Sequence, residues 1–195
     1  MEPKTEIDVW GKSTKNGKPP ALALINPRYP RNIGMAIRLA SCYGFNQVWF
    51  TGKRVSLDSK AYRLPREERM RGYKQVELIN HDYLFDQFQN ATPVAIEVRE
   101  NAVPLPFFEH PENPIYVFGP EDGSIDQVYM RHCHNFVVIP TKHCLNLATA
   151  IATILWDREY KLSLKGLSSA WTPGEYEDRG ILKDFNMDEY GEPCT

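Results

Sequence analysis

The sequence predicts an α/β fold built on a mostly parallel sheet with flanking helices, and three observations lead there. Five short apolar runs, rich in Val, Ile, Phe and Ala, recur along the chain. They are near-continuous rather than alternating, the pattern of strands covered on both faces. Segments of helical periodicity separate them, and strand alternating with helix is the signature of a parallel sheet. A length of 195 residues with 42% hydrophobic and 25% charged composition suits one moderate domain with attached ends.

Residues 1–20, with Pro3, Gly11, Gly17, Pro19 and Pro20 among scattered lysines, read as a flexible lead-in. The first strand is 21–25 (ALALI). The chain then turns through Pro27 and Pro30. Asn32 is the expected N-cap of a helix whose mostly apolar face, Ile33, Ile37, Ala40 and Cys42, runs to Gly44. The remaining strands are expected at 47–51 (QVWFT), 94–98 (VAIEV), 115–119 (IYVFG) and 136–140 (FVVIP), with short helices over 82–90 and 125–131. A long helix begins near Leu145, and its stripe of Leu147, Ile151, Ile154 and Leu155 carries it to about Leu162. The expected domain is therefore 21–162, followed by a tail over 163–195.

A formal net charge of -2 excludes binding of a polyanion by bulk charge, so a nucleic-acid site must be a local patch. Such a patch exists. Residues 53–74 hold eight basic and three acidic side chains, a net of +5, whereas 171–195 hold seven acidic and two basic, a net of -5. The basic run is either a solvated surface or an RNA contact. Arginine dominance, with Tyr62 and Tyr73 interleaved, favours RNA, because guanidinium groups grip phosphates bidentately and aromatic rings stack on unpaired bases. The candidate contacts are Lys53, Arg54, Arg63, Arg66, Arg69 and Arg71. No apolar signal core opens the chain, and the longest uncharged apolar run, 144–156, is too short to span a bilayer, so no membrane partner is expected. Four cysteines without a CxxC pair point to reduced thiols and a cytoplasmic location. His132, Cys133, His134, His143 and Cys144 fit no zinc spacing, and no metal is expected.

Three segments at strand ends carry chemistry. In NPRYPRNIGMAIRLASCYG (26–44), Arg38 stands among apolar neighbours, either snorkelling at the surface or held at a site. In VFGPEDGSI (117–125), a strand ends in a Gly-Pro turn, where open α/β sheets commonly bind ligands. In VIPTKHCLNLATAIATILW (138–156), a polar loop leads to Asn146 and a helix of small residues. Neither a GxGxxG fingerprint after the first strand nor a P-loop occurs, which removes most support for dinucleotide or NTPase readings.

Together and in this order, the three segments resemble the motifs of the SpoU/TrmH branch of the SPOUT superfamily, ribose 2'-O-methyltransferases that act on tRNA or rRNA. Asn32, Gly34, Arg38 and Gly44 match the first motif; Phe118, Gly119, Pro120, Glu121 and Ile125 the second; Ile139, Pro140, Leu145 and Asn146 the third. The resemblance spans about 21–162. It implies a C-terminal trefoil knot whose loops hold S-adenosylmethionine, and a homodimer joined through the first and last helices. It places cofactor contacts at Ile96, Glu97, Gly119, Ile139, Cys144 and Leu145, largely through backbone. Arg38 matches the arginine that acts on the ribose hydroxyl. A guanidinium stays protonated, so its expected work is to hold the target phosphate and polarise the 2'-hydroxyl. Asn32, Glu121 and Asn146 are expected to orient the loops and Arg38. The chain departs from the family at Cys144, usually serine, at Ser124, usually glycine, and at Ala148, often serine. A non-catalytic RNA-binding protein of the same fold is the alternative, and the retained Arg38 favours the enzyme.

Overall fold

Strands buried on both faces form the centre of this computed structural model, which describes residues 17–65, 68 and 71–167. In chain order the elements are β1 (Ala21–Leu24), α1 (Pro30–Cys42), β2 (Gln47–Phe50), β3 (Glu77–Asn80), β4 (Thr92–Ile96), β5 (Val103–Pro104), β6 (Pro114–Phe118), α2 (Gln127–Met130), β7 (Asn135–Val138) and α3 (Leu147–Leu164). Every residue of β1, β2 and β6 is buried, as their mostly apolar runs lead one to expect, with Gln47 the polar member. The seven strands form one parallel sheet in the order β3-β2-β1-β6-β4-β7-β5. One face packs Leu22, Leu24, Tyr116 and Phe118 under α1 and α3; the other packs Ala23, Trp49 and Val117 against Leu84 and Met130.

Several expectations are corrected. α1 begins at Pro30 with Tyr29 as its extended N-cap, so Asn32 lies inside the first turn. Proline pre-sets the helical φ at that position and its missing N–H costs nothing there. The helix expected over 82–90 is a single 3-10 turn, Leu84–Gln87, and that over 125–131 is the four-residue α2, capped by the Asp126 carboxylate accepting from the Val128 N–H. α3 starts at Leu147 and ends at Leu164, where Gly166 (φ +67°) lets the Leu167 N–H reach the Leu162 carbonyl at 2.8 Å. Two strands were not expected. β3 is an edge strand of mostly half-buried residues, and β5 is two exposed residues, so neither carries a core-like run.

Two topological facts position the site. Chain order reverses between β1 and β6: the loop after β1 leads to α1 on one face, and the loop after β6 leads to α2 on the other. β7 lies between β4 and β5, with Val137 level with both Ile96 and Val103. Residues 97–102, which join β4 to β5, therefore arch across the carboxyl end of β7.

Candidate active site

The three sequence segments converge on a line of hydrogen bonds. α1 has no acidic residue in its first turn and no side-chain cap of its own. Glu121, from the loop after β6, supplies the negative charge instead. Its carboxylate accepts the Arg28 N–H at 2.7 Å, the Tyr29 N–H at 3.3 Å and the Asn32 amide at 2.6 Å. An anion there complements the partial positive charge of the helix start. The Asn32 side-chain oxygen in turn accepts from the Asn146 amide at 3.4 Å, and the Asn146 oxygen caps α3 by accepting the Ala148 N–H at 2.9 Å. Asn32 is buried, so its amide group needs these partners.

Arg38 does not join this line. Six residues along α1 from Asn32, it sits about 9 Å further down the axis and about 240° round it. It shares the outward stripe of Arg31, Met35 and Cys42, is half-buried, and makes no hydrogen bond or ion pair with another described residue. Burial raises the Cys42 thiol pKa above its ordinary value, and the Arg38 charge one turn away partly opposes that rise.

Five of the six expected cofactor contacts, Ile96, Glu97, Ile139, Cys144 and Leu145, line one cavity of about 130 Å³ at the carboxyl ends of β4 and β7. Gly119 lies outside it, under the loop: a Cβ there would meet the Ile125 nitrogen at 3.2 Å. The absence of a side chain thus lets the loop after β6 fold back on its own strand. Glu97 staples that loop in place, its carboxylate accepting the Ile125 and Val98 N–H groups, each at 3.0 Å. Sequence reasoning did not single out Val98, Val138, Thr141 or Ala150, which complete the lining. Thr141 was the readable one, a hydroxyl in the polar loop, where it donates to the His143 carbonyl at 2.8 Å. The apolar walls and the acidic Glu97 suit an adenine ring and a sulfonium cation. The volume lies below the roughly 300 Å³ usual for whole-ligand sites and has room for part of a ligand. Among the described residues, no three His, Cys, Asp or Glu side chains gather to hold a metal ion.

The basic segment is strapped over α1. Gly34 makes room for it, since a Cβ there would collide with the Tyr62 carbonyl oxygen, and Leu64 packs on the same spot. Arg31 clasps Glu68 through both carboxylate oxygens, at 3.0 and 2.9 Å. Tyr73 is buried, so the expectation that its ring stacks on a base is corrected: its apolar surface is used in holding the strap down, while Tyr62 is half-buried and packs against the core. Arg63 is exposed, and Lys53 and Arg54 are exposed beside a second, larger crevice. Arg66 and Arg69 lie outside the described residues, as does the side chain of Arg71.

Residues 19–156 match the SpoU rRNA Methylase family. The chain is 24% identical over 191 residues to the tRNA (cytidine-2'-O-)-methyltransferase TrmJ of Methanocaldococcus jannaschii, covering 85% of this chain and 79% of that protein. Its fold is similar to that of the TrmH/SpoU tRNA modifying enzyme of A. aeolicus (TM-score 0.62, 16% identity, 87% of this chain and 92% of that one). It is also similar to the AdoMet-bound rRNA methyltransferase of Sinorhizobium meliloti (TM-score 0.63, 18% identity), covering 75% of this chain but only 59% of that one.

Proposed function

This chain belongs to the SpoU rRNA Methylase family, and from that premise we propose that it transfers a methyl group from S-adenosylmethionine to a ribose 2'-hydroxyl of tRNA or rRNA. The observation that carries the reading is the Glu121–Asn32–Asn146 line, which joins positions 89 and 114 residues apart beside the cavity of Ile96, Ile139 and Leu145. Bound S-adenosylmethionine supplies a methyl group already activated by its sulfonium. The protein's share is positioning. Ile96, Ile139, Cys144 and Leu145 hold the cofactor's apolar portion, Glu97 and Gly119 keep the loop after β6 closed, and Asn32, Glu121 and Asn146 fix both loops against α1. Arg38 holds the target phosphate and polarises the attacking hydroxyl, whose proton leaves to solvent as the methyl group arrives.

Since Arg38 points away from its own Asn32, it serves the cleft of a second copy, and the working form is a homodimer. Trp156, Tyr160 and Leu164 support this: they repeat at four-residue spacing on α3, beside α1, and all are exposed. The arch of residues 97–102 over the exit of β7 supports a trefoil knot over 97–146. Lys53, Arg54, Arg63, Arg66, Arg69 and Arg71 form the RNA contact, 21–162 the methyltransferase domain and 163–195 an acidic tail. The cysteine pattern supports a cytoplasmic location.

Tritium from labelled S-adenosylmethionine, followed into total tRNA and rRNA, tests the reading. The label is expected in alkali-stable dinucleotides, because a 2'-methoxy group blocks strand cleavage. Arg38→Ala is expected to lower kcat by about a hundredfold, the scale of a lost transition-state contact, with cofactor Kd unchanged. Salt-dependent RNA binding without transfer would support the non-catalytic alternative instead.

A further inference from the structure

A second crevice, larger than the cofactor cavity, lies away from it on the other side of the loop after β6. It measures about 740 Å³ and opens at the carboxyl ends of β1, β2 and β6, lined by Asn26, Lys53, Arg54, Asp82, Asp126 and Tyr129 among others. The chain order reverses between β1 and β6, and the space outside strand ends at such a reversal is where open α/β sheets receive ligands.

Its walls are already built. Asn26 and Gly52 each lie two residues beyond the ends of the adjacent strands β1 and β2, with φ of +47° and +80°, and a Cβ on residue 52 would strike the Asn26 side chain. The Asn26 N–H donates to Thr51 Oγ1 at 3.0 Å and the Gly52 N–H to Asp82 Oδ1 at 2.8 Å. Asp126 uses Oδ1 on the Val128 N–H at 2.9 Å. Each of these two carboxylates keeps a second oxygen for a ligand donor. The cations occupy the rim. Arg54 is held by Asp122 at 2.7 Å, which also takes Arg28 at 3.3 Å, whereas Lys53 makes no ion pair or hydrogen bond with another described residue. An exposed ammonium, carboxylate acceptors and the half-buried Tyr129 ring in one crevice suit a ligand with an anionic group, hydrogen-bond donors and a flat face.

We propose that this crevice seats one unpaired nucleotide of the RNA, its phosphate at Lys53 and an amino-bearing base, not uracil, against Asp82 and Asp126. Cytosine, adenine and guanine present exocyclic amino donors to a carboxylate, whereas the single N3–H donor of uracil lies between its O2 and O4 acceptors, which a carboxylate repels. The loop after β6 walls this crevice through Pro120, Ser124 and Asp126, and is stapled through Ile125 to Glu97 of the cofactor cavity. The seated nucleotide is therefore next to the one methylated. This inference rests on the methyltransferase reading for its RNA, but not for the crevice.

The test is titration of the 15N-labelled full chain with cytidine and uridine 5'-monophosphates. Cytidine monophosphate is expected to shift the Gly52 and Ser124 amides and to bind about fivefold or more tighter than uridine monophosphate, as one lost base contact implies. S-adenosylmethionine is expected to shift Glu97 and Leu145 instead. Lys53→Ala and Asp82→Asn, the latter keeping the oxygen that Gly52 uses, are expected to raise the RNA KM about fivefold to tenfold with cofactor Kd unchanged. Shifts confined to the Glu97 cavity, equal binding of the two nucleotides, or an unchanged RNA KM in both variants while wild type transfers methyl would overturn the proposal and leave the methyltransferase reading standing. Nucleotide shifts at Gly52 with no methyl transfer to any RNA would support the crevice and defeat that reading.

Discussion

Replacing Glu121 by alanine removes the carboxylate that ties the loop after β6 to the Arg28 and Tyr29 amides and the Asn32 side chain at the start of α1. Three donors lose their acceptor. The Arg28 and Tyr29 amides belong to exposed residues, and water takes over there at little cost. The Asn32 side chain is 7% exposed, and an unsatisfied buried amide costs about 1–3 kcal/mol. Loss of the negative charge at the helix start adds about 0.3–1 kcal/mol. Glu121→Ala should therefore destabilise the protein by about 1.3–4 kcal/mol, which for a chain of this size lowers Tm by about 3–16 °C. Glu121→Gln keeps one acceptor oxygen and should cost less than alanine. Urea unfolding followed by far-UV circular dichroism measures both, and the double variant with Asn32→Ala should show a coupling of about 1–2 kcal/mol. In the same samples kcat should fall while cofactor affinity holds, because Glu121 does not line the cavity of Ile96 and Leu145. A Glu121→Ala protein within about 0.5 kcal/mol of wild type, the range of ordinary surface changes, would refute the structural weight given to this line.

Gly34→Ala should push the Tyr62 carbonyl off α1, costing about 1–3 kcal/mol as an overpacked contact does, and weakening RNA binding more than cofactor binding; denaturation and filter binding check the two parts. Trp156→Glu should convert the proposed homodimer to a monomer in sedimentation equilibrium, since it places a charge on the exposed stripe of α3. His110 is buried between the Tyr116 hydroxyl at 2.6 Å and Asp157 at 2.8 Å. Burial holds its pKa below the ordinary imidazole value, Lys161 and Arg158 push the same way, and Asp157 opposes them. The unfolded chain then takes up this proton first, so stability falls as pH drops from about 7 through 6.5 and continues to fall until the lower folded pKa is passed. Urea midpoints between about pH 7.5 and 5.5 should show that slope, and His110→Gln should flatten it.

Much of the architecture was legible in the sequence because strands buried on both faces leave an unbroken local signature. All five expected strands are present, shifted by a residue or two at their ends. β3 and β5 were not legible: Glu77 and Asn80 sit half-buried at a sheet edge, and β5 is a Val-Pro pair that only its neighbour β7 makes a strand. The start of α1 was misplaced because both Asn32 and Pro30 are good N-terminal residues, and Asn32 is occupied with Glu121 instead. Tyr73 among arginines reads as a stacking ring, and only the strap over Gly34 shows why it is in the core.

The sequence by itself determined the α/β class, the three ordered motifs and five of the residues that share one cavity at the carboxyl ends of β4 and β7, because each follows from patterns within a few residues of a strand end. Tertiary structure alone decided that Glu121, Asn32 and Asn146 share one hydrogen-bond line, that Arg38 faces away from it, and that a polar crevice opens where the strand order reverses. Those outcomes depend on which distant segments meet. Contacts across 89 and 114 residues leave no periodicity in the chain and arise only when the sheet brings its carboxyl ends together.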